Sequence, residues 1–164
     1  MITGLLQIYP DLDLIHTVQV RDDGLGPYIA IWNDPRPQPT AQQLSDALLP
    51  AAKQKQILLL KTACKAAIEG GFYSSALGIP YKYDSALPQD QSNLIGAKLA
   101  GIDMAFTCTD ANGIKWQHLH TAAQISQVYL DGMLHIQTNQ ALLYSKLTLL
   151  AQAITLADIA VIVW

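Results

Sequence analysis

From Thr121 to Ile154 the chain contains no proline, and its apolar residues recur three and four apart, the signature of one long helix. Thr121 and Gln124 open it with the spacing of a capping box, in which the threonine hydroxyl accepts from the third helical N–H and the glutamine reaches back. Tyr129, Met133, Ile136, Gln140, Leu143, Leu147, Leu150 and Ile154 then form a heptad seam with one polar member, Gln140. Two partners fit such a seam. One is the helix predicted over residues 51–69, whose Ile57, Leu60, Cys64, Ala67 and Ile68 offer a matching apolar face. The other is a second copy of the chain, giving self-association through the seam. The internal pair is favoured, because no charged flanks specify a partner chain.

The same reasoning divides the rest of the chain. IHTVQV (15–20) and PYIAIW (27–32) alternate apolar and polar residues on either side of RDDGLG, which predicts a β-hairpin. NDPRPQPT (33–40) carries a proline at every second position and predicts an extended connector that holds its ends apart. Thr40 and Gln43 form a second capping box at a helix start, which Pro50 is expected to break, kink or restart. Gly70-Gly71 stops the following helix. A short aromatic hairpin or loop follows, with Gly78 and Pro80 at its bend, and then a helix capped by Asp90 and ended near Gly101. Residues 105–119 read as two strands joined by Asn112-Gly113. A third box, Thr155 with Asp158, begins a last short element ending in VIVW, helix or strand. The fold class expected is α+β. An N-terminal β-hairpin and proline-rich connector (1–39) precede a mainly helical domain (40–164) with two short β-hairpins and one long C-terminal helix.

Composition bounds the function. The 164 residues carry 14% charged side chains and a net charge of −3, with no block of one sign, which argues against a general nucleic-acid binder. The lysines at 53, 55, 61 and 65 do not make a tight stripe and read as a solvated helix face. No apolar run approaches the roughly 20 residues of a spanning helix, so no membrane is expected as a partner. The start, Met1-Ile2-Thr3-Gly4, lacks the pattern of a secretory signal, so synthesis and folding in a cytoplasm is the expectation. So little charge favours association over life as a free monomer. Cys64 and Cys108 are isolated and read as buried free thiols.

Chemistry finds little footing. Hydrolase, metalloprotease and phosphate-loop motifs are absent, and Gly24 and Gly26 spell a GxG with no helix behind it. His118 and His120 have strand spacing and His135 lies one helix later. A small metal site or enzyme built on these three is the alternative reading, but no third ligand is patterned beside the pair. No enzyme activity, cofactor, metal or catalytic residue is assigned. The aromatics Phe72, Tyr73, Tyr81 and Tyr83 suit stacking on bases, yet Lys82 and Asp84 leave no basic field around them, so packing or protein contact is the better reading.

The series GGFYSSALGIPYKYDS, DQSNLIGA, a hairpin ending in GIKW, HTAAQISQVYLDG and ITLADIAVIVW resembles a bacteriophage tail-associated domain family of uncharacterised function. The resemblance covers about residues 53–164. It rests on the glycine-aromatic start, Gly78, the aspartate before Gln91, the HTAAQ helix start and the closing Trp164. DDGLGPYIAIWN with PTAQQL is similar to the opening of small phage tail accessory proteins. Strands around Cys108 are shorter than in many relatives. The resemblance implies an accessory protein of the tail fibre or baseplate, either a component of the virion tail or a transient assembly chaperone, and it supplies no catalytic residues. The residues expected to meet a partner are Tyr28, Ile29, Ile31 and Trp32 of the first hairpin and Tyr73, Tyr81 and Tyr83 of the aromatic segment.

Overall fold

The computed structural model describes all 164 residues and is α+β, with five helices and two antiparallel sheets. It divides into two compact units, residues 1–58 with 147–163, and residues 59–146 with Trp164. The junction expected between residues 39 and 40 lies inside the first unit.

The first unit opens with a helix that the sequence pattern does not announce, α1 (Ile2–Ile8). It is seven residues long and no side chain caps it, so neither periodicity nor a start signal marks it. Gly4 lets it approach the helix α2 (Ala41–Glu69), since a Cβ there would stand 3.1 Å from the Leu44 carbonyl oxygen. The hairpin is present as β1 (Val18–Asp22) and β2 (Pro27–Trp32), with a bulge between Gln19 and Val20. Its first strand begins later than the alternation suggests. Asp13 Oδ1 accepts the N–H groups of Ile15 and His16, and the Thr17 hydroxyl donates to the Asp13 carbonyl, which turns residues 13–17 instead of extending them. Val18, Val20, Ile29 and Trp32 face a core made with Leu5, Leu12 and Leu44.

The proline segment is fastened to the hairpin, and so does not act as a free spacer. The Trp32 indole donates to the Arg36 carbonyl at 2.8 Å and the Tyr9 hydroxyl to that of Pro37 at 3.1 Å. Arg36 forks onto Asp34 at 2.7 and 2.8 Å, reaches Asp11 at 2.7 Å, and lies 4.4 Å above the Tyr9 ring. Thr40 and Gln43 make the expected capping box at 3.1 and 2.8 Å. The helix then runs through Pro50 to Glu69 without ending. In the same unit Lys53 and Gln56 of α2 donate to the carbonyls of Ala151 and Ile162, and α5 (Leu156–Ala160) starts at the Thr155–Asp158 box as a helix, not a strand.

In the second unit the two expected hairpins, β3 (Phe72–Ser74) with β4 (Tyr81–Tyr83) and β5 (Met104–Thr109) with β6 (Lys115–His120), join into one sheet of order β3-β4-β5-β6. The join is the single pairing Lys82–Thr109, a long-range contact that no local pattern encodes. Gly71, at φ +85°, ends α2 and lies so close to the Tyr83 carbonyl that a Cβ would stand 2.6 Å from it. The Asn112-Gly113 turn is a three-residue loop: Asp110 accepts from the Gly113 N–H, and Gly113 alone has positive φ. In α3 (Pro88–Ala100) Asp90 is not the cap itself. It stands in the first turn and accepts from the Leu87 N–H at 3.0 Å. Phe72, Tyr83, Leu94, Cys108 and Val128 form the core.

The long helix α4 (Ala122–Gln152) begins at the Thr121–Gln124 box as expected. Its buried stripe, however, is turned one residue from the predicted seam over the first half only, and it rejoins the seam at half-buried Leu143 and Leu147 and buried Leu150. Ile125, Val128 and Gly132 are buried, followed by half-buried His135 and Asn139, whereas Met133, Gln140 and Ile154 are exposed. Polar groups on this stripe are satisfied against α2: His135 Nε2 donates to the Ala67 carbonyl at 3.1 Å, and the Cys64 thiol points at that of Asn139 at 3.6 Å. Both cysteines are buried and free, and no helix is long and apolar enough to cross a membrane.

Candidate functional site

The first hairpin separates its side chains by face. Ile29 and Trp32 turn inward onto Leu5, Leu12 and Leu44, so they support the strand and are only half accessible. Tyr28 and Ile31 are exposed, as is Leu25 at the tip. The tip is rigid because Asp22 Oδ1 accepts the N–H groups of Gly24 and Gly26, at 2.9 and 3.2 Å, both glycines having positive φ. Tyr28 donates its hydroxyl to Asp23 at 2.7 Å, which pushes the phenol pKa up and fixes the ring over the turn. The two strands pair only with each other, so both outer edges carry unpaired backbone groups.

The aromatic segment divides differently. Tyr73 is 68% exposed on the outer face of the sheet, opposite Lys82. Tyr81 is half-buried, its ring 4.9 Å from that of His118. Tyr83 is 1% exposed, stacked on Phe72 with ring centres 5.6 Å apart, and its hydroxyl donates to His120 Nε2 at 2.8 Å. Tyr83 is thus a core residue with no surface to offer a partner. Desolvation raises its pKa and that of neighbouring Cys108, which keeps both groups protonated in the interior.

The three histidines do not converge. His120 is fully buried, its Nδ1–H given to the His118 carbonyl at 2.8 Å and its Nε2 accepting from Tyr83. Burial lowers its pKa, so it stands neutral in this tautomer. His118 lies against Tyr81, and His135 belongs to the α2 contact. No group of three or more His, Cys, Asp or Glu side chains comes together in metal-binding geometry. A cleft of about 580 Å³ lies between α3 and strands β5 and β6, lined by Asp84, Asp90, Asn93, Thr107, Lys115 and Gln117. Its charged groups are already engaged: Lys115 pairs with Asp84, and Asp90 holds the start of α3.

Sequence reasoning passed over two exposed residues of β6, Trp116 at 70% and Leu119 at 72%. They fall on opposite faces of one strand. The signal was present in KWQHLH, a strand with a large apolar residue on each face, so that turning His118 and His120 inward still leaves Leu119 outside.

No curated protein and no solved structure matches the chain. Residues 3–56, which contain the exposed hairpin, match the family described as XkdW protein, a phage-associated family. Residues 51–163, more than half of the chain, match the family described as a domain of unknown function, DUF4376, and the chain belongs to that family.

Proposed function

We propose that the chain is a non-enzymatic accessory protein of a bacteriophage tail, which binds the tail fibre or the baseplate and stays in the virion. The observation that carries this reading is the first hairpin: an exposed pair, Tyr28 and Ile31, beside a tip leucine, on strands with unpaired edges, inside the segment that matches a phage-associated family. An edge of this kind accepts an extended segment of a partner by main-chain hydrogen bonds, with side chains such as Tyr28 and Ile31 supplying selectivity. Tyr73, exposed on the second unit's own hairpin, is a separate candidate contact. The low charge of the chain supports residence in an assembly.

The test is co-purification of the full chain with the fibre and baseplate proteins of its phage. Cutting at residue 39 would strip Leu5, Leu12 and Val18 from Leu44, so point variants are the cleaner probe. Tyr28→Ser combined with Ile31→Lys should weaken binding by about 30-fold or more while leaving the circular dichroism spectrum unchanged. Undiminished binding would remove the hairpin from the reading. Peptides of the chain at stoichiometric level in purified particles mark a virion component; their absence from particles, with fibre binding retained, would replace that part of the reading with a transient chaperone.

A further inference from the structure

Strand β6 is an edge with no protection. It is six residues long, pairs residue for residue with β5 without a bulge, contains no proline, and exposes Trp116 on one face and Leu119 on the other. Edges are ordinarily blunted by charge, proline, bulges or shortness. The opposite edge, β3, has three residues, and the first hairpin is bulged. The one charge on β6, Lys115, is held by Asp84.

The backbone pattern defines what this edge accepts. Asp110 donates its N–H to the Ile114 carbonyl at 3.0 Å, so 110 and 114 form a hydrogen-bonded pair. Bonded and non-bonded pairs alternate along an antiparallel ladder, and the register runs regularly from Thr109–Lys115 to Met104–His120. Trp116, His118 and His120 therefore bond to β5, while Lys115, Gln117 and Leu119 turn their N–H and C=O groups outward.

We propose that β6 pairs antiparallel with β6 of a second copy of the chain, on a two-fold axis at Gln117. This register sets Gln117 against Gln117, Lys115 against Leu119 and Trp116 against His118, and it uses all three outward residues, giving six main-chain hydrogen bonds. Charge fits a second copy in this register. Lys115 meets a neutral leucine instead of another lysine, no like charges stand opposite, and Trp116 gains an aromatic partner that Tyr81 already backs at 4.9 Å. The pairing uses no residue of the first hairpin and does not depend on the tail assignment.

Sizing of the full chain by analytical ultracentrifugation at about 0.1 mM should show a dimer. Gln117→Pro removes an outward donor and no bond to β5, so it should weaken the dimer about 30-fold, through two lost hydrogen bonds, with circular dichroism unchanged. Gln117→Cys places two thiols across the axis at a Cα separation of about 5.5 Å, within disulfide reach. Mild oxidation should cross-link this variant, the native thiols being buried, while Asn112→Cys in the exposed hairpin loop stays monomeric on a non-reducing gel. A wild-type monomer at this concentration overturns the proposal. So does a Gln117→Cys chain that fails to cross-link, the result expected if the edge receives another protein's strand.

Discussion

Tyr83 and His120 meet in the interior of the second unit, the tyrosine hydroxyl donating to Nε2 across 2.8 Å while Nδ1 is held by the His118 carbonyl. Both ring nitrogens of the neutral imidazole are thus satisfied. Burial lowers the imidazole pKa, so the unfolded chain takes up this proton at a higher pH than the folded one. The resulting stability is fully present above about pH 6.5 and falls as the pH drops below it, by at most about 1.4 kcal/mol per pH unit. Urea unfolding of wild type and His120→Gln between pH 7.5 and 5 should show this slope in the first and its loss in the second. Tyr83→Phe keeps the stacking on Phe72 but orphans a buried nitrogen, and should cost about 1–3 kcal/mol at pH 7.5.

Gly132 lies against the ring of Phe72. A Cβ at this position would stand 2.9 Å from Phe72 Cζ and 3.1 Å from Cε1. Alanine gains about 1 kcal/mol in helix propensity, but the ring it displaces is buried against Tyr83 and has nowhere to move. Gly132→Ala should therefore lower stability by up to about 2 kcal/mol net, and Phe72→Leu in the same chain should recover part of the loss. Thermal unfolding of both single variants and the double variant measures the coupling; a stabilised Gly132→Ala would show that the close approach is not constraining.

What was legible in the sequence is what a few neighbouring residues decide. The boxes at Thr40, Thr121 and Thr155, the stop at Gly71 and the turn at Gly113 satisfy backbone groups within four residues, and each stands where it was expected. Helix α1 escaped because seven uncapped residues are held by Leu44 and not by their own pattern. The seam of α4 holds from Leu143 to Leu150 but was placed one residue off before that, because the buried stripe there includes Gly132, His135 and Asn139, which an apolar count skips; their fitness for the stripe comes from Phe72, Ala67 and Cys64, far away in sequence. The site was half legible. Tyr28 and Ile31 are exposed on a strand whose alternation is local, whereas the burial of Tyr83 depends on a bond to His120, 37 residues away.

Arg36 holds the proline segment through its shape as much as its charge. Nε and Nη2 take both oxygens of Asp34, Nη1 takes Asp11, and the plane covers Tyr9. The hydrogen bonds from Arg36 hold the Asp34 carboxyl down to about 2, so the pair stays charged until strongly acid pH and loosens only as the pH falls towards that value. Lysine keeps the charge and loses the fork and the stacking. Arg36→Lys should speed amide exchange of Arg36 and Asn33 while leaving the sheet of the second unit unchanged; equal protection in both chains would assign the segment's order to its prolines.

Pro50 sits inside α2 with helix on both sides. It has no N–H for the Asp46 carbonyl, and its ring crowds that oxygen, a combination that costs an interior helix about 3 kcal/mol. The side chain is exposed, so replacing it opens no cavity. Proline also narrows the unfolded ensemble, which returns about 0.4–1 kcal/mol to the folded state. Pro50→Ala should therefore stabilise the chain by about 2 kcal/mol, seen as a higher urea midpoint with an unchanged slope. A lower midpoint would mean that α2 needs the distortion proline imposes.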